Sequence, residues 1–215
     1  MPYTAIAGFK AIRDKVRQET LDVAGTRWTD EELDTYINIA QESYARRTKS
    51  LTGSVDVYFD GLNDIFQVPT NYIRATKFQL PDTKEEIPLT SWKVLSSKFT
   101  PKFLNDTNSD IYYCCFDYES WNRFRFYPNP SVDAGTLLGT LSYARKPVKD
   151  VIEIRNQEAL VAYVLFRSYL KERNAKFLKK ASEYRTEFER HLPKSKSRST
   201  KTMSRQSGAR SGRFF

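Results

Sequence analysis

Apolar positions near the start of the chain recur at steps of three and four. Ile6, Phe9, Ile12 and Val16 form one stripe, which predicts an amphipathic helix over roughly Thr4 to Leu21. After a break at Ala24-Gly25-Thr26, the stretch RWTDEELDTYINIAQESYA carries a complete helix start. Thr29 suits the N-cap, and Glu32 three residues on completes a capping box. Trp28 and Leu33 occupy the two positions of a hydrophobic staple. Asp30, Glu31 and Glu32 lie in the first turn, where the helix dipole favours acids. Leu33, Tyr36, Ile37, Ala40 and Tyr44 then mark a buried face, and the helix is expected to end near Thr48.

From Leu51 the period shortens to two. Val55, Val57 and Phe59 alternate, Asp60-Gly61 marks a turn, and Ile65 to Val68 runs extended into Pro69. Tyr72–Leu80 and Glu86–Trp92 flank PDTKE, which reads as a hairpin connection. A polar loop containing NDTNSD precedes IYYCCFDYE, RFRFYPNP and GTLLGTLSYARKP. Short runs of β-branched and aromatic residues between turn formers predict six or seven antiparallel strands, contained in a sandwich or small barrel over residues 51–148.

Helical spacing returns after Asn156, itself a plausible cap. Leu160, Val161, Val164, Leu165 and Ser168 share a face, and Phe177, Leu178, Ala181, Tyr184 and Phe188 continue the spacing. The polar interruption at Lys171–Asn174 leaves open one long helix or two with a bend. Pro193 is a stop. The expected fold is α+β: helices from 1–50 and 149–192 pack as a bundle, with the β region inserted between them.

Beyond Pro193 the sequence changes character. Lys194, Lys196, Arg198, Lys201, Arg205, Arg210 and Arg213 are unaccompanied by any acid, and Phe214-Phe215 are the only large apolar side chains apart from Met203. Such a segment buries too little apolar surface to offset an ordering cost of about 1–2 kcal/mol per residue. Residues 193–215 are therefore read as an extended arm that takes its order from a partner. The formal charge of +9 divides accordingly: seven charges lie in the arm, leaving +2 on residues 1–192. A near-neutral body argues against a folded surface that grips DNA, although a basic tail could still touch phosphates or an acidic protein surface.

Little in the chain suggests catalysis. His191, the lone histidine, lies at a helix end with no nucleophile nearby in sequence. Cys114 and Cys115 are adjacent, so in a strand they face opposite ways and suit neither a disulfide nor a zinc site. Asp106-x-Asn108-x-Asp110 opens like a calcium loop, but Ile111 and Asp117 stand where Gly and a bidentate Glu belong, so a solvated turn is expected. Tyr112, Tyr113, Phe116, Tyr118, Phe124, Phe126 and Tyr127 could stack bases on an open sheet. With only Arg123 and Arg125 interleaved, packing in a core is the favoured reading. No catalytic residue, cofactor or metal ligand is assigned. The early charges of MPYTAIAGFKAIRDK do not suit a signal peptide, and ALVAYVLF is too short to span a membrane, so a soluble protein made inside the cell is expected.

Three stretches in order, RWTDEELDTYINIAQ, then FRFYPNP with GTLLGTLSYARKP, then ALVAYVLFRSYLKE with ASEYRTEFERHL, resemble the head-to-tail adaptor (connector) proteins of tailed bacteriophages. The resemblance covers most of residues 1–192. It implies a helical bundle with an inserted β domain, and a homo-oligomeric ring, typically of twelve copies, beneath the portal in the virion neck. The ring would join the portal protein to tail or nozzle proteins around the DNA exit channel. DNA would meet it only in passing, and no membrane is involved. Connector extensions commonly engage the portal, so Lys194, Lys196, Arg198, Lys201, Arg205, Arg210, Arg213, Phe214 and Phe215 become the expected partner-binding residues. The alternative is a nucleic-acid-binding protein that uses the same basic tail.

Overall fold

A computed structural model describes residues 8–62, 65–98, 107–108, 110–116, 122–172 and 174–193. Two helices come first, α1 (Phe9–Thr20) and α2 (Asp30–Thr48), and two come last, α4 (Gln157–Lys171) and α5 (Ala175–His191). Between them lie β1 (Thr52–Tyr58), β2 (Ile65–Gln67), β3 (Tyr72–Gln79), β4 (Glu86–Ile87), β5 (Leu89–Ser91), a short helix α3 (Trp92–Lys98), β6 (Thr107–Asn108), β7 (Tyr113–Phe116), β8 (Arg123–Tyr127), β9 (Asn129–Pro130) and β10 (Leu137–Arg145).

The α2 start is built as its sequence dictates. Thr29 accepts from the Glu32 amide, Glu32 accepts from the Thr29 amide, and Trp28 and Leu33 are both buried behind them. The far carboxylate oxygen of Glu32 takes Lys171 of α4, so the cap also ties two helices. Asn156 caps α4 by accepting from Ala159 at 3.1 Å. The polar interruption resolves as two helices, because Asn174 opens α5 by accepting from the Lys176 amide. Ile12 and Val16, Leu33 and Ile37, Leu160 and Val164, and Ala181 bring α1, α2, α4 and α5 into one apolar cluster. Tyr169 is sandwiched there, stacked on Phe177 at 5.7 Å and on Tyr184 at 5.7 Å. Leu178, placed on the buried face by its spacing, is instead 42% exposed. Of the stripe predicted for α1, Ile6 lies outside the described residues.

The β region forms two four-stranded sheets, ordered β1-β10-β3-β4 and β2-β8-β7-β5, with a two-stranded β6-β9 pair beside them. The first two share a core in which Phe78 meets Phe126 at 4.9 Å and Tyr72 stacks on Phe116 at 6.1 Å. The expected hairpin across PDTKE is present, with Phe78 opposite Ile87 and Gln79 opposite Glu86. Two departures from the expected antiparallel set stand out. β5 runs parallel to β7 and β6 parallel to β9, and Trp92, expected to end a strand, instead begins α3. Several pieces are only two or three residues long, so ten strands appear among the described residues where six or seven were expected.

Gly139 sits within β10 at φ +153°, with the Gln79 carbonyl oxygen 2.3 Å from where a Cβ would stand and the Phe78 ring 2.5 Å away. Glycine is required there, because any side chain would drive into the neighbouring strand.

Candidate docking surfaces

The nine residues expected to bind a partner, Lys194 to Phe215, lie outside the described residues. What is described is the root of that segment. Leu192 packs with the cluster of Ala159, Ala162 and Phe188, and Asn156 Nδ2 donates to the His191 carbonyl at 3.4 Å. The same asparagine therefore caps α4 and holds the end of α5. His191 is the last residue of α5, with Glu158 at 4.0 Å and Glu187 at 3.8 Å. It is a helix-end residue beside two acids, as its sequence position suggested.

The other candidate chemistry resolves into packing. Cys114 faces the core between the sheets, while Cys115 faces away from it, against Leu95 and Tyr127. Both are buried and free. Burial, reinforced by its neighbour's charge, pushes the Cys114 thiol up; burial pushes that of Cys115 up to about 12 despite nearby Arg125. Neither thiol is ionised at neutral pH, so neither is a nucleophile. Phe116, Phe124 and Phe126 are core residues, whereas Tyr112 is exposed; Tyr118 lies outside the described residues. Of the calcium-like stretch, Asn108 is in β6 and Ile111 is buried, and Asp106 and Asp117 lie outside the described residues. Among the described residues no three His, Cys, Asp or Glu side chains gather as a metal site, and no helix is long and apolar enough to cross a membrane.

Two polar centres escaped the sequence reading. One is Asp22, in the turn between α1 and α2. Its carboxylate accepts from the amides of Thr26 at 2.9 Å, Arg27 at 3.2 Å and Trp28 at 3.2 Å, and from the Thr26 hydroxyl, with Arg17 alongside. Burial works to raise its pKa, but the amides and hydroxyl outweigh it and hold the carboxyl below its ordinary value. The turn so fixed carries Leu21 at 89% and Val23 at 78% exposure, two apolar side chains held out in solvent. An acid four residues before a threonine, after an apolar helix stripe, was the available signal.

The second centre joins helices to sheets. Arg145, the last residue of β10, makes a two-pronged pair with Glu153, at 3.0 and 2.6 Å. The fully buried Gln41 of α2 accepts from the Glu153 amide at 2.9 Å and donates to the Val151 carbonyl at 3.0 Å. The hydrogen bonds from Arg145 foremost, against the effect of burial, keep the Glu153 carboxyl below its usual range.

The surface also carries grooves. One, of about 960 Å³, opens at the end of the sheets, floored by Leu80, Ile87, Ile111 and Leu138 and walled in part by exposed Tyr112. Another, of about 640 Å³, lies among α1, α4 and α5, with Lys15, Glu19, Glu158, Glu187 and His191 around it. Both are open to solvent rather than enclosed.

No curated protein matches the chain. The sequence model of the SU10 adaptor protein family matches residues 8–212, nearly the whole chain and including most of its basic C-terminal segment. The chain therefore belongs to the SU10 adaptor protein family, a phage head-to-tail adaptor family of structural, non-enzymatic proteins.

Proposed function

We propose that this adaptor assembles as a ring beneath the portal of a tailed-phage virion, joining portal to tail around the DNA exit channel, with residues 193–215 as its docking arm. The observation that carries the reading is the reach of the family match to residue 212, which makes the acid-free segment part of the adaptor pattern rather than an appendage. A helical part supplies spacing within the ring, and an inserted β part reaches neighbouring components. Seven cations and a terminal Phe-Phe suit a partner that offers acidic walls and an apolar pocket, on the portal or between adjacent protomers. In a ring of about twelve copies, weak binding by each arm adds up once the first has docked.

The test is capture by isolated portal. Truncation after Leu192 is expected to reduce capture at least tenfold, and unchanged capture would overturn the docking role. Replacing Phe214 and Phe215 with Ser is expected to weaken capture even at low salt, which separates the apolar contribution from the screened one. DNA binding through the tail is the second reading, favoured by the charge of +7 over residues 193–215. It requires tight duplex binding that falls steeply with salt.

A further inference from the structure

We propose that the groove at the end of the sheets is the receptor for the basic C-terminal segment, 194–215, of a neighbouring copy of the chain. The inference rests on the proposed ring and names the surface on which one arm is seated.

Charge selects this groove. Asp82, Glu85, Glu86 and Asp110 line it, all four are exposed, and no described lysine or arginine does so. Glu86 also meets Lys77 at 3.1 Å from outside the groove wall. The grooves on the helical part differ. In one, Glu19, Glu158 and Glu187 are offset by Lys15 and His191; in a second, Arg167 and Lys171 stand without a described acid; in a third, Lys10, Arg13 and Arg17 outnumber Asp14 and Asp30. Each therefore offers a cationic strand less attraction than four carboxylates without a lining cation.

Shape and chemistry agree with that choice. Below the carboxylates the floor is the open end of the β core, with Ile87, Ile111 and Leu138 nearly buried and Leu80 partly so. That is an apolar seat under an acidic rim. It matches a segment of seven cations, no acid, and a terminal Phe214-Phe215 pair. Tyr112, 51% exposed at the wall, offers a ring face to an arginine. The rim also includes the two-residue β4, which among the described residues pairs with β3 alone and so leaves an edge to which an extended segment can add. The 22 residues after Pro193 reach about 70 Å when extended, enough to leave one globule and cross to the next.

The experiment uses the full-length chain with a photoreactive phenylalanine analogue at position 215, prepared as an equal mixture of 14N and 15N copies and cross-linked as assembled. Mass mapping is expected to find position 215 joined to peptides from 80–88, 110–113 or 132–138, with mixed-isotope pairs showing that the groove belongs to another copy. Asp82→Lys, Glu85→Lys and Asp110→Lys together are expected to lower that yield at least tenfold while the far-ultraviolet circular dichroism stays unchanged. Cross-links that map elsewhere, join only within one copy, or survive the charge reversal would each overturn the proposal. Portal capture by the same charge-reversed chain separates the two claims. Cross-links that survive the charge reversal while capture stays arm-dependent sink this inference alone; arm-independent capture sinks the docking role.

Discussion

Single residues here carry constraints out of proportion to their size. Asp22 organises a turn by satisfying three amides and a hydroxyl from a nearly buried position. Asp22→Ala strands those donors and is expected to cost about 2–4 kcal/mol, read as a lower urea midpoint at unchanged slope. The pH dependence has a definite sign. Because the folded pKa of Asp22 lies below its unfolded value, its contribution is complete above the unfolded value and is lost as pH falls through the folded one. The stability gap between wild type and Asp22→Asn should therefore narrow between roughly pH 5 and pH 2. Gly139 is constrained by space rather than charge. Gly139→Ala places a methyl 2.3 Å from a backbone oxygen that cannot swing aside, and a loss of at least ~3 kcal/mol is expected by thermal unfolding. Cys114 and Cys115 are shielded, so a thiol-reactive dye should label neither in the native protein and both in denaturant.

At the scale of elements, what is local was legible and what is long-range was not. The capping box of α2, the Asn156 cap and the PDTKE hairpin depend on residues within a few positions of one another, and each is present as read. The parallel pairing of β5 with β7 joins Leu89 to Cys114, 25 residues apart, and no alternation pattern encodes direction. Nor does spacing say how far along a helix the neighbours extend, which is why Leu178 lies on the apolar stripe yet is 42% exposed. The partner-binding residues named from sequence lie outside the described residues, so only their root at Leu192 is seen. The Gln41–Glu153–Arg145 junction was invisible for the same reason as the parallel strands: Gln41 of α2 lies more than a hundred positions from Arg145 and Glu153. Gln41→Ala leaves the Glu153 amide and the Val151 carbonyl without this partner, and a loss of about 2–3 kcal/mol is expected. A double-mutant cycle of Arg145→Ala and Glu153→Ala should give a coupling of about 1–2 kcal/mol, since both side chains are mostly shielded.

For the molecule as a whole, charge is the organising quantity. A formal +9 that is +7 in the last 22 residues leaves a body that neither attracts nor repels a polyanion strongly. The chain ending at Leu192 is expected to pass a duplex-DNA column unretained even at low salt, whereas tight retention of the full chain that falls steeply between 50 and about 200 mM salt would favour the second reading. Such a body suits the proposed conduit, through which DNA would pass without adhering.

The pairing of β1 with β10 has a consequence for how such a molecule can vary. Thr52 lies opposite Ala144, so the backbone enters and leaves the sheets through adjacent strands, like a stem whose two sides are already zipped together. Anything beyond that stem can lengthen, shrink or be exchanged without altering the distance between the end of α2 and the approach to α4. The part of the β region beyond the stem is thus free to diversify while the spacing of the helices stays fixed.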